Sequence, residues 1–130
     1  MGGKVDWNDK QPIFQQIKQR IEQQILIGVW AEGEALPSVR TIASDLKINH
    51  LTVMKAYQLL VDDLLVEKRR GLGMFVLTGA QDKLKADKTN LFLNQEIPQL
   101  IHTLQLLDMS VDDFIKEMNK QIKGNVDAIS

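Results

Sequence analysis

The chain has no cysteine among its 130 residues. That excludes disulfides, thiolate zinc sites and a cysteine nucleophile, and it fits a reducing, cytoplasmic setting. Histidine is almost as scarce. The only two, His50 and His102, each fall in a stretch of helical periodicity with no motif around them, so a nucleophile, a base and an orienting group have nowhere to converge. The acidic pairs Asp62-Asp63 and Asp112-Asp113 are adjacent in sequence and therefore diverge on a helix instead of sharing a proton. A glycine-rich phosphate loop and metal-ligand spacing are both missing, so we expect neither an enzyme nor a cofactor. No apolar run approaches the length of a membrane span, and the first residues lack the apolar region of a signal peptide, so no membrane partner is expected. Met1-Gly2-Gly3 opens like an acylation signal, but position six is Asp6 where that signal needs serine or threonine. Nor is there an excess of one charge: 16 lysines and arginines face 17 acids, for a net charge of −1. A nucleic-acid partner would have to be recognised by the distribution of charge, not its sum.

What the sequence does hold is a core. Hydrophobic residues make up 44% of the chain, enough for one compact domain with an appendage, and too much for disorder. Residues 37 to 77 organise the rest. Ser38 precedes an apolar-periodic run, Val39, Ile42, Ala43 and Leu46, and its hydroxyl can cap the helix that the run predicts. Lys47-Ile48-Asn49 reads as a turn, with Ile48 tucked inward and Asn49 capping the next helix. There Val53, Ala56, Tyr57, Leu60, Val61 and Leu64 recur at three and four residues as a core face. Leu51, Lys55 and Gln58 face away, with His50 and Thr52 at the exposed N-terminal end. Val66 to Arg70, Gly71-Leu72-Gly73 and Met74 to Leu77 then read as a two-stranded hairpin with a basic, glycine-flanked tip. Helix, turn, helix and hairpin in this order make a winged helix-turn-helix, which lays its second helix in the major groove of DNA. Within 37 to 77 the six basic residues (Arg40, Lys47, Lys55, Lys68, Arg69, Arg70) outnumber the four acidic ones (Asp45, Asp62, Asp63, Glu67), and Arg40, Lys55 and the wing cations are expected on one face.

Before this stretch, Trp7 is expected to pack over a first helix opened by Gln11-Pro12, with proline at its tolerated first position. Ile13, Phe14, Ile17, Ile21 and Ile25 form the stripe of that helix, Gly28 ends or loosens it, and Gly33 to Leu36 form a link. The segments "LPSVRTIASDL", "TVMKAYQLL" and "GLGMFV", with "QPIFQQIKQRIEQQILIGVWAEGEALPS" upstream, resemble the DNA-binding domain of the GntR family of bacterial transcription regulators, in its YtrA-like branch. The resemblance covers roughly residues 10 to 78. It implies a DNA-facing set of Ser38, Arg40, Asn49, His50, Leu51, Thr52, Lys55, Arg69, Arg70, Gly71 and Gly73. Arg40 is the strongest member, since its fork suits phosphate and guanine alike. The plain alternative for Lys55 and the wing cations is a solvated face, and for the glycines a purely conformational role. Lys68, Arg69 and Arg70 alternate in direction, so not all three can meet DNA. Several positions depart from the family pattern: His50 stands where arginine is common, Leu51 and Leu72 where polar residues are, Met74 where threonine is, and Leu64 where glycine closes the helix.

Beyond the wing, residues 79 to 89 are polar, a linker or the exposed start of a helix. Leu91, Phe92, Ile97, Leu100, Ile101, Leu104 and Leu107 then restore an apolar pattern, with a helix start or kink at Pro98. Ser110 has cap-like spacing before Phe114, Ile115, Met118 and Ile122, and Gly124 reads as a stop. These helices carry more apolar surface than they can bury alone, and a second copy of the chain is the simplest cover. The dimerisation set is Leu91, Ile97, Leu100, Ile101, Leu104, Leu107, Phe114 and Ile115. The expected architecture is thus mainly α with a small β-hairpin: a winged helix-turn-helix over residues 1–78 and a helical dimerisation tail over 79–130. The expected function is a homodimeric, site-specific regulator, a repressor in sense, bound to a palindromic double-stranded operator. A winged-helix module that binds protein instead is the rival reading. About fifty residues follow the wing, too few for a separate effector domain, which leaves a dimer interface as the place for any unknown small-molecule effector.

Overall fold

The computed structural model describes residues 7–129; the Met1-Gly2-Gly3 start and Asp6 lie outside them. In chain order the elements are α1 (Ile13–Leu26), α2 (Val39–Leu46), α3 (His50–Asp62), β1 (Val66–Arg69), β2 (Gly73–Val76), α4 (Ala80–Leu91), a π-helical turn (Phe92–Glu96), α5 (Ile97–Leu106) and α6 (Val111–Ile129). The protein is mainly helical with one small antiparallel hairpin, as its periodicity predicts. It divides into two compact units, with the boundary after Asp87.

The first unit is built on α1 and α3. Ile17, Ile21 and Ile25 recur every four residues on α1 and are fully buried, so they form one seam at the 3.6-residue period. They meet Val53, Ala56, Tyr57 and Leu60 of α3 in a core that also takes Ile42 and Ala43 of α2, and Trp7 packs against its edge. Pro12 is the N-cap of α1 and not its first helical residue. α1 ends at Leu26, and Gly28 beyond it adopts φ +86, a left-handed conformation suited to glycine. Each helix of the helix-turn-helix begins on the side chain predicted for it. Ser38 Oγ accepts from the Thr41 amide at 3.1 Å, and Asn49 Oδ1 accepts from the Leu51 amide at 2.9 Å. Ile48 packs against the core from the turn.

The end of α3 differs from the sequence reading. Leu64 is 67% exposed and lies at φ 60, while Leu65 is buried. The helix closes with the Leu65 amide donating to Leu60 O and the Leu64 amide to Val61 O, both at 3.0 Å. That paired closure demands a left-handed residue at position 64, and the reversal turns Leu64 outward and Leu65 inward. The hairpin pairs Val66 with Val76, Glu67 with Phe75, Lys68 with Met74 and Arg69 with Gly73. At its tip the Leu72 amide donates to Arg69 O at 2.9 Å, with Gly71 at φ 74, as a turn with a positive-φ third residue requires. Gly33 to Leu36 is more than a link. The Gly33 and Leu36 amides donate to Val76 O and Met74 O, each at 2.8 Å, and Ala35 bridges Phe75, so the segment lies against β2 as a short edge strand.

Of the two readings of residues 79–89, the helix start holds: α4 begins at Ala80, with Ala80 and Leu84 buried in the winged core and not left exposed. Gln81 Nε2 donates to Leu26 O at 2.8 Å, and the Lys83 ammonium donates to Asp63 O. This docking is why the first unit runs on to Asp87, past the residue-78 boundary read from the sequence. In the second unit the helix start expected at Pro98 is found, one residue earlier, at Ile97. The backbone widens into a π turn at Phe92–Glu96, and α5 follows with proline in its first turn, where the missing amide donor costs no hydrogen bond. Ser110 Oγ accepts from the Asp113 amide at 3.0 Å and caps α6. Gly124 does not end α6, which runs through it to Ile129; an interior glycine weakens a helix by about 1 kcal/mol without terminating it.

Candidate nucleic-acid interface

The N-terminal turn of α3, the N-terminus of α2 and the wing share one open cleft of about 740 Å³. Arg40 and His50 line it beside Tyr57 and Gln58, and the wing contributes Lys68, Leu72, Gly73 and Met74. Arg40 and His50 also line a second hollow, at the turn between α2 and α3, with Ser44, Ile48 and Asn49. These two side chains therefore sit together where the turn meets the base of the wing, both exposed. The cleft floor is fixed by Tyr57, which is buried and donates its hydroxyl proton to Pro37 O at 2.5 Å. Burial raises the Tyr57 pKa above the ordinary phenol value, which keeps the hydroxyl a donor.

The predicted DNA-facing residues separate into groups. Arg40, His50, Leu51, Arg70 and Gly71 are exposed. Ser38 and Gly73 line the cleft, with the Ser38 hydroxyl also 2.8 Å from that of Thr41. The Asn49 side chain is engaged as the α3 cap. Thr52 lies half-buried. Lys55 turns toward α1, where its ammonium stands 3.9 Å from the Phe14 ring centroid, a contact that holds the lysine by the ring quadrupole. Arg69 is held on the wing, 4.1 Å over the Phe75 ring and 2.9 Å from the Glu67 carboxylate. Lys68, whose strand position alternates with that of Arg69, is the wing cation that lines the cleft. Met54 escaped the sequence reading. Its spacing of three from Leu51 and four from Gln58 was the available signal, and it too lines the cleft.

The opposite end of α3 carries the acids. Asp63 pairs with Lys18 at 2.8 Å, and Lys18 also reaches Glu22 at 3.6 Å. Burial disfavours charge on Lys18, but the bond to Asp63 and the field of Glu22 outweigh it, so its pKa lies above the ordinary lysine value. Asp62 accepts from Gln58 Nε2 at 2.9 Å. Arg40, His50 and Lys68 thus flank the start of α3, while its acids lie at its end, where Asp63 is paired with Lys18. A helix N-terminus beside Arg40, His50 and Lys68, with a glycine-tipped finger alongside, suits a duplex that offers phosphates at its rim and base edges in its groove.

Comparison with known proteins agrees with this geometry. The family described as "Bacterial regulatory proteins, gntR family" matches residues 13–76. The HTH-type transcriptional repressor YtrA of Bacillus subtilis is 30% identical over 123 residues, spanning 92% of this chain and 94% of the relative. A GntR family transcriptional regulator from Listeria monocytogenes superposes with a TM-score of 0.74 at 26% identity, covering 88% of this chain and 98% of the other. YtrA from Sulfolobus acidocaldarius, a GntR-family transcription factor, gives a TM-score of 0.52 at 28% identity, covering 94% and 97%.

Proposed function

The chain belongs to the gntR family of bacterial regulatory proteins, in its YtrA-like branch, and from that premise we propose that it is a transcriptional repressor that grips a palindromic operator as a homodimer. The DNA-binding part is the winged helix-turn-helix, with α3 in the major groove and the wing along the adjacent backbone. One observation carries this reading: Arg40, His50 and Lys68 converge on the open cleft between α3 and the wing. In the complex Arg40 donates to a guanine edge or a phosphate, while His50 and Lys68 hold phosphates. Arg70 and Gly71 follow the backbone at the wing tip. Ser38 and Asn49 act chiefly by fixing the helix starts.

Dimerisation is supported by residues 88–125. Leu104, at 9% exposure, is the single buried side chain there, while Leu91, Ile101, Leu107, Ile115, Met118 and Ile122 stand exposed. A surface this apolar wants cover, and a second copy supplies an identical one under two-fold symmetry. Two recognition helices so related read half-sites about one helical turn apart, and the occupied operator excludes the transcription machinery. No helix among the described residues is long and apolar enough to cross a membrane.

The test is selection from a pool of random duplexes. An enriched motif with two-fold symmetry is expected, bound less tightly by Arg40→Ala by about 1–3 kcal/mol. A pool that never enriches would overturn the proposal and favour a winged helix that binds protein.

A further inference from the structure

The outward sector of α3 beside the wing cleft holds His50, Leu51, Met54 and Gln58. Two of these are apolar and open to solvent: Leu51 is 60% exposed and Met54 49%, although Val53, Ala56, Tyr57 and Leu60 of the same helix are fully buried. Leu51 and Met54 are three residues apart, so their side chains adjoin on one face. Across the cleft the wing adds Leu72, 71% exposed, and Met74. A single exposed leucine needs no explanation. Met54, Leu72 and Met74 line the cleft together with Arg40 and Lys68, and Leu51, in the first turn of the recognition helix, extends that apolar run outward from Met54, which is a different matter. The cations of this cleft match a polyanion, and its apolar floor matches whatever uncharged group that polyanion presents between its phosphates. The major groove offers one such group on its base edges, the thymine C5 methyl. A purely apolar protein partner would instead strip water from the bordering cations without pairing them.

We propose that Leu51, with Met54 beside it, reads thymine C5 methyl groups in the operator half-site, so that specificity at that step comes from apolar contact and not from a hydrogen-bonding fork. This rests on the DNA-binding reading above. It also narrows the chemistry of the site, because uracil presents the same hydrogen-bonding edge as thymine and lacks only the methyl.

The experiment takes the duplex enriched from random sequence and replaces its thymines by uracil one position at a time. Affinity of the wild-type protein should fall about fourfold for each methyl buried against Leu51, the equivalent of one methylene withdrawn from water. Leu51→Ala, at an exposed position, should bind the uracil duplex as the wild type does and no longer distinguish it from the thymine duplex. Leu51→Met, which keeps an apolar side chain, should retain the distinction. Wild-type protein that binds both duplexes equally at every position overturns the methyl assignment while leaving DNA binding intact. Protein that retains no duplex at all fails at the earlier reading, and the assignment falls with it. The wild-type comparison alone decides the matter should a variant fail to fold.

Discussion

Leu64 lies at φ 60 with its side chain mostly in water. A non-glycine residue in that region is strained by roughly 1–2 kcal/mol, and little buried surface offsets the strain. Leu64→Gly should therefore stabilise the first unit by about 1 kcal/mol, net of the extra freedom glycine gains when unfolded. A higher urea midpoint with unchanged slope is the expected result, and a lower midpoint would contradict it. Tyr57→Phe should destabilise by about 1 kcal/mol through loss of the hydroxyl bond to Pro37 O. Lys18 offers a pH signature. Its folded pKa is raised, so the pair with Asp63 contributes fully below the ordinary lysine range and is lost as pH rises through the raised value. In Asp63→Asn the Lys18 ammonium, followed by NMR, should titrate at lower pH than in the wild type. At this scale the caps Ser38 and Asn49 were legible because capping is local in sequence. Leu64 was legible in part: the resemblance put it where glycine closes the helix, but apolar periodicity continuing two residues past Asp62 placed its side chain on the core face. The hold of Phe14 on Lys55 was hidden for a different reason, because it joins residues far apart in the chain.

Among elements, α3 and the wing were readable from periodicity and glycine placement, whereas α4 was only one of two readings of residues 79–89, and its docking on the core was not read at all. Its sequence is polar, and only Ala80 and Leu84 anchor it, too few to show as a stripe. Their burial depends on a core assembled from α1 and α3. The pairing of Ala35 with Phe75 was equally out of reach, because it depends on where the wing folds back. Gly124 illustrates the converse error: a residue that often ends helices sits inside α6, with nothing within 4 Å of where a Cβ would stand. Gly124→Ala should raise the thermal stability of the second unit, by about 1 kcal/mol. A decrease would show that a partner surface approaches that backbone closely.

Across the whole molecule, charge is nearly balanced at −1, yet Arg40 and Lys68 flank the start of α3 while Asp62 and Asp63 lie at its end, Asp63 paired with Lys18. Function was legible from the order of motifs and not from composition. The apolar second unit sets an expectation for assembly. Ile101→Asp, at an exposed position, should convert dimer to monomer in sedimentation; a dimer that persists would remove α5 from the interface. Leu104→Asp should do the same, but Leu104 is already buried within its own chain, so Ile101 gives the cleaner result. Both variants should also weaken operator binding, because each half-site alone holds one recognition helix.

The central claim, that the cleft between α3 and the wing engages a nucleic acid duplex, is tested most directly by the salt dependence of duplex affinity. Each phosphate neutralised releases bound counterions, with a log–log slope of about −0.9 per contact. Wild-type protein on its enriched duplex should lose affinity steeply as salt rises, and Lys68→Ala should flatten the slope by about one contact. Affinity indifferent to salt, or a slope unchanged in that variant, would contradict the claim.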